Sequence, residues 1–308
     1  MKLTLLLVLI VLIFGCSTKQ ITIAHRGASA YLPEHTLEAY TYAHAIKSDF
    51  IEPDIVLTKD SVPICIHDIH LENTTNVEEV FFNRKRKDGR WYAIDFTLKE
   101  IKMLSVHERE KKNKKRVFSK RFPRRKSSFK VPTLEEFIEL IQGLNKSTGY
   151  TTGIYPEIKA PEFHLNEKKD ITKIVFNTLK KYGYEKKPKE IFIQSFFPNT
   201  LKRLKYEFNT NIPLIQLIAD ESWGESTTKY NQMMTLEGLK KVSIYADGVG
   251  VWLTHLNRKK SLFSMIKKSK LIVHGYTHRP ETVTNLRKGL IKRLDGIFSD
   301  APDLLETK

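Results

Sequence analysis

A (β/α)₈ TIM barrel is the fold class that the sequence predicts, and three observations carry the prediction. Short apolar runs alternate with segments of helical spacing, which predicts parallel strands joined by helical crossovers. The chain of 308 residues is long enough for about eight such repeats. One interval is much longer than a βα unit needs, which marks an inserted segment after the third strand.

The apolar runs that read as strands are residues 21–25, 50–57, 63–67, 153–160, 190–196, 213–219, 248–253, 271–276 and 296–299. Helical spacing appears over residues 37–46, 168–182, 200–206 and 261–268. Nine candidate strands exceed eight by one, and 248–253 fits the strand pattern least well. The reading is therefore one barrel domain over residues 21–308, with an insertion at about 69–150 on the loop face.

The N-terminus reads as a separate signal. Lys2 precedes an uncharged, mostly apolar run over residues 3–14, which is too short to span a bilayer and suits a secretory h-region. The run ends in Ile13-Phe14-Gly15-Cys16, which resembles the lipobox of bacterial lipoproteins. Residues 1–15 would then be a signal peptide, Cys16 a diacylated N-terminus and residues 16–20 a tether. The expectation is an exported protein anchored to a bacterial membrane, facing the periplasm or the cell surface. With Cys16 lipidated, Cys65 has no partner; it lies in the apolar run 62–66 and reads as a buried small hydrophobe.

Composition excludes collagen, coiled coil and wholesale disorder: 41% of residues are hydrophobic and 28% charged, with 14 Gly and 12 Pro. The net charge of +17 suggests an anionic partner, and its densest contribution is residues 108–130, where 12 Lys or Arg face 2 Glu. No helix-turn-helix or zinc-finger pattern accompanies it, so nucleic acid is not the expected partner. Contact with an anionic membrane or polymer, steering of an anionic substrate, or simple solvation remain as roles for this tract.

Chemistry gathers at the ends of the first four strands. Glu52 and Asp54 are two apart, so the pleat turns both carboxylates to one side, and Glu157 and Lys159 repeat that spacing. Three carboxylates meeting on one rim would repel one another unless a cation lies between them. An all-oxygen ligand set suits a hard divalent ion, Ca²⁺ first and Mg²⁺ as the alternative. His25 and His67 suit a general acid and base. Arg26 and Lys159 add positive charge suited to phosphate.

The ordered set His25-Arg26-Gly27-Ala28, Leu32-Pro33-Glu34-His35-Thr36-Leu37-Glu38, Glu52-Pro53-Asp54, His67-Asp68 and Pro156-Glu157-Ile158-Lys159-Ala160 resembles the glycerophosphodiester phosphodiesterases, most closely their periplasmic and lipoprotein branch. The resemblance continues through residues 87–98 and 295–300. It implies a TIM barrel and metal-dependent hydrolysis of glycerophosphodiesters to glycerol 3-phosphate and an alcohol through a cyclic glycerol phosphate. It also implies His25 and His67 as acid and base, Glu52, Asp54 and Glu157 as metal ligands, Arg26 and Lys159 on phosphate, and Glu34 orienting the first loop.

Two other classes share some of these features. A sphingomyelinase-D-like phospholipase has the barrel, paired His and metal, but its group typically lacks the insertion and the 156–160 motif. A surface-binding lipoprotein would use the basic tract alone, which leaves the catalytic set unexplained. His67-Asp68-Ile69-His70 lacks a third zinc ligand at suitable spacing. His35 fits the family's loop, whereas His255, His274 and His278 read as structural or exposed. Trp91, Trp223 and Trp252 either line the site or pack.

Overall fold

The computed structural model describes residues 20–282, 286–287 and 289–305. The leader, Cys16 and the tether up to residue 19 lie outside the described residues. Eleven strands hydrogen-bond into one mixed sheet among the described residues: β1 (Ile21–His25), β2 (Phe50–Glu52), β3 (Asp54–Leu57), β4 (Pro63–Cys65), β5 (Gly153–Ile154), β6 (Glu157–Ile158), β7 (Ile193–Ser195), β8 (Leu214–Ile218), β9 (Gly248–Trp252), β10 (Ile272–His278) and β11 (Gly296–Ser299). Their order is β4-β3-β6-β7-β8-β9-β10-β11-β1-β2-β5. Only Pro53 separates β2 from β3, and only Tyr155 and Pro156 separate β5 from β6, so the two ends of that order are neighbouring stretches of chain. Ile154 also bridges in parallel to Ile191 beside β7, and the sheet curls back on itself in a TIM-barrel-like fold.

Two strand expectations need correction. The run 63–67, expected as the third parallel strand, gives β4, which pairs antiparallel with β3 through Ile55↔Cys65, Val56↔Ile64 and Leu57↔Pro63. The reason is the link: residues 58–62 are too few for a parallel crossover, which needs a dozen or more. His67 accordingly follows a hairpin. Conversely, the distrusted run 248–253 forms β9, paired in parallel with β8 and β10. Its glycines weaken the strand signal but allow close packing, since a Cβ at Gly248 would sit 2.2 Å from Ile272 Cγ1 and one at Gly250 2.5 Å from Leu217 Cδ2.

Inside the curled sheet, Ile23, Phe50, Tyr155, Ile215 and Phe298 pack as one cluster. A much larger apolar core lies between the strands and the helices outside, including Leu37–Ala45, Ile171–Lys181 and Lys260–Lys268. Val56 of β3, Ile64 of β4 and residues between β4 and β5 build a second cluster, in which Ile66, Leu71, Trp91, Phe96, Leu104 and Phe129 are also buried. The same stretch holds a helix missed by the strand-and-helix reading, Leu134–Thr148, whose start is fixed by a reciprocal Thr133–Glu136 capping box and whose end is Gly149 at φ +69°. Cys65 is buried, as its apolar run suggested. No helix among the described residues is long and apolar enough to cross a membrane.

Candidate active site

Register brings the predicted residues together. His25 pairs with Glu52 across β1–β2, Asp54 with Glu157 across β3–β6, and Glu157 with Gln194 across β6–β7. The chain leaves β1 through Arg26 at φ +60° and Gly27 at φ +81°. A Cβ on Gly27 would come within 2.9 Å of the Ala39 backbone, so that tight exit requires glycine.

Ligand oxygens of Glu52, Asp54 and Glu157 all lie within 4.8 Å of one another, and the three side chains are buried. Glu52 accepts from the Arg26 N–H at 2.7 Å and from Gln194 Nε2 at 3.3 Å. Asp54 Oδ2 contacts His35 Nε2 at 2.9 Å, and His35 Nδ1 contacts the Tyr40 hydroxyl at 2.8 Å. Asp54 Oδ1 is buried with no hydrogen-bond partner. An orphaned carboxylate oxygen inside a cluster of three carboxylates offers the oxygen donors that a hard cation takes, and the donor set fits one. Burial, with Asp54 also adding repulsion, raises Glu52 and Glu157 well above the usual carboxylate range. Asp54 goes the other way: against the effect of burial, His67, His35 and Lys159 hold it well below that range.

Each histidine leans on its own carboxylate. His25 Nδ1 lies 2.7 Å from Asp300 Oδ1, and His67 Nδ1 is hydrogen-bonded to Asp68 Oδ1. Burial, then the Arg26 cation, lowers His25 to about 4, and burial, Arg26 and Lys159 lower His67 to about 3. Both imidazoles are therefore neutral near pH 7, so each has one ring nitrogen able to accept a proton. Lys159 Nζ is 2.9 Å from Glu157 Oε1 and 3.5 Å from His67 Nε2.

The basic tract does not behave as spare charge throughout. Arg109 donates to Glu34 at 2.9 and 2.6 Å and to Asp68 Oδ2 at 2.7 Å, while Glu34 also accepts from Arg26 at 3.0 Å. Arg121 donates to Asp300 Oδ2 at 2.6 Å, to the Ser29 carbonyl at 3.1 Å and to Glu281 at 2.8 and 3.0 Å. Each histidine's carboxylate is thus gripped by an arginine of the tract, while Lys111, Lys112 and Lys115 remain exposed. Sequence spacing gave no sign of Asp300 or Arg279 as site residues; Arg279 Nε donates to Asp300 Oδ2 at 3.1 Å.

A cavity of about 290 Å³ is lined by His25, Arg26, His67 and the three acidic residues together with Trp223, Trp252, Tyr276 and Phe196. Two of the three tryptophans thus line it, while Trp91 is buried in the second core. His274 and His278 bond to Tyr155 and Ser299 at 2.8 and 2.9 Å, and His255 reaches the Ala219 carbonyl at 3.3 Å, as structural histidines would.

Residues 25–304 match the glycerophosphoryl diester phosphodiesterase family. A glycerophosphodiester phosphodiesterase of Haemophilus influenzae is 43% identical over 92% of this chain and 88% of its own length. Another, of Treponema pallidum, is 35% identical over 95% of this chain and 92% of its own length. Among solved structures, an Oleispira antarctica phosphodiesterase in complex with the product sn-glycerol-3-phosphate superposes with a TM-score of 0.63 at 20% identity, covering 92% of this chain and 94% of that one. A glycerophosphodiester phosphodiesterase of Agrobacterium tumefaciens gives a TM-score of 0.61 at 19% identity over 92% and 98% of the two chains.

Proposed function

The chain belongs to the glycerophosphoryl diester phosphodiesterase family, and on that footing we propose that it hydrolyses glycerophosphodiesters to glycerol 3-phosphate and an alcohol, with His25 and His67 as the acid–base pair. The observation that supports this most is the convergence of both histidines, Arg26 and three carboxylates on one cavity.

Glu52, Asp54 and Glu157 would hold one divalent cation, Ca²⁺ or Mg²⁺. When bound, such an ion lowers the pKa of a hydroxyl and offsets charge on phosphoryl oxygens. Arg26, which lines the cavity, and Lys159, ion-paired to Glu157 beside it, would supply guanidinium and ammonium charge to the phosphate. One histidine takes the proton of the attacking glycerol hydroxyl as the new O–P bond forms. The other, which takes up a proton as the anionic phosphate binds beside it, gives that proton to the leaving alcohol oxygen as its bond to phosphorus breaks. Water then opens the cyclic glycerol phosphate, with the two histidines exchanging roles. Asp300 and Asp68 fix the tautomer and tilt of each ring, and Glu34 ties Arg26 to the tract.

The proposal extends to architecture and address. Counting β2 with β3 and β5 with β6 gives eight parallel barrel strands, with β4 and about residues 69–150 inserted between barrel strands. Lipidation at Cys16 would anchor the protein to a bacterial membrane, as in the periplasmic and lipoprotein branch. The test is glycerol 3-phosphate release from glycerophosphodiesters by the full chain purified in detergent. Absence of release from every headgroup overturns the reading, and palmitate labelling lost in Cys16→Ser tests the anchor.

A further inference from the structure

A second cavity, of about 280 Å³, adjoins the first. His25, Arg26, His67 and Arg279 border both. The carboxylates of the cation site line only the first, whereas Glu34, Glu108, Arg109, Val117, Phe118 and Arg121 line only the second. A phosphodiester held among those four shared residues has two ester arms to place. The glycerol arm, whose hydroxyl must be activated, belongs on the carboxylate side. The other arm then has the second cavity available.

The chemistry of that cavity is specific at one point. Glu34, Asp300 and both tract arginines are satisfied by one another. Glu108 is not: it is 3% exposed, and its Oε2 is buried without a hydrogen-bond partner. Burial, with Glu34 next, pushes its carboxyl up to about 8. A buried acceptor left unpaired is costly, and a ligand that supplies a donor there recovers the loss. The apolar wall of Val117 and Phe118 would cover the carbon stem of such a ligand.

We propose that this cavity is the leaving-alcohol subsite, and that Glu108 selects alcohols carrying an N–H or O–H donor, such as ethanolamine or glycerol, over choline, whose quaternary nitrogen has none. The inference rests on the function proposed above. It makes the tract a specificity element of the site.

The test compares glycerophosphoethanolamine, glycerophosphoglycerol and glycerophosphocholine on the wild-type protein, Glu108→Leu and Glu108→Gln. In Glu108→Leu, kcat/KM for the first two substrates relative to the choline ester should fall about tenfold or more, the range expected when a buried hydrogen bond is lost. Glu108→Gln, which keeps size and an acceptor but cannot ionise when an ammonium arrives, separates the two donors: a fall confined to the ethanolamine ester identifies an ammonium that draws off the Glu108 proton, and preserved ratios a hydroxyl. An unchanged ratio in Glu108→Leu, or an equal loss on all three substrates, overturns the subsite. A wild-type protein inert towards all three overturns the function instead, so the two failures are distinct.

Discussion

Arg121 and His25 hold opposite oxygens of the same carboxylate: Arg121 Nη2 reaches Asp300 Oδ2 at 2.6 Å while His25 Nδ1 lies 2.7 Å from Oδ1. Arg109 and His67 share Asp68 in the same way. The tract therefore sets the orientation of both imidazoles. Arg121→Met should lower kcat by about tenfold to 100-fold with KM nearly unchanged, because a small misplacement of a reacting group is expensive. Arg121→Lys should recover part of the loss. Equal kcat in all three proteins would limit Arg121 to a structural role.

The cation site should depend on what supports it. EDTA is expected to abolish activity and Ca²⁺ or Mg²⁺ to restore it, with full activity after exhaustive chelation ruling out the three-carboxylate site. Tyr40→Phe removes the hydroxyl that contacts His35, the side chain bonded to Asp54. Its metal affinity, measured by calorimetric titration, should weaken by about tenfold.

His25→Ala and His67→Ala should each cost about 100-fold or more in kcat. The double variant should be little worse than either single, since the two act in one proton exchange and losses within such a unit do not multiply. Multiplying losses in steady-state kinetics would point to separate roles.

The exposed end of the tract should act differently from Arg109 and Arg121. Replacing Lys111, Lys112, Lys114 and Lys115 with Gln should reduce kcat/KM at low salt and leave kcat nearly unchanged. The difference should vanish towards 1 M salt, where the Debye length is about 3 Å against about 10 Å at 0.1 M. Unaltered kinetics combined with lost adhesion to anionic vesicles would assign these cations to a membrane surface.

Much of the site was legible because strand pleat and register are periodic. Glu52, Asp54 and Glu157 converge as a spacing of two on adjacent strands requires. What spacing does not carry is direction and reach. The run at 63–67 has strand composition, and only the five-residue link before it shows that it must turn back. The helix Leu134–Thr148 carried a legible signal, Thr133 with Glu136 three residues on, inside a stretch otherwise read as insertion. Asp300, Arg109, Arg121 and Arg279 escaped because long side chains cross between distant segments. Glu108 reads as one acid among cations until burial separates it from them.

The hairpin that carries β4 has a final consequence. His25 stands at the end of a wall strand, but His67 follows Ile64 and Ile66, which belong to the smaller apolar cluster with Trp91 and Phe96. The two halves of the proton-exchange pair thus rest on two apolar clusters that meet at the β3–β4 hairpin, where Cys65 packs in the main core and Val56, Ile64 and Ile66 in the smaller one. Their gap depends on how the two clusters pack against that shared hairpin. Repacking Trp91 or Phe96, neither of which lines the cavity, would retune turnover as well as stability, and activity becomes a gauge of that packing.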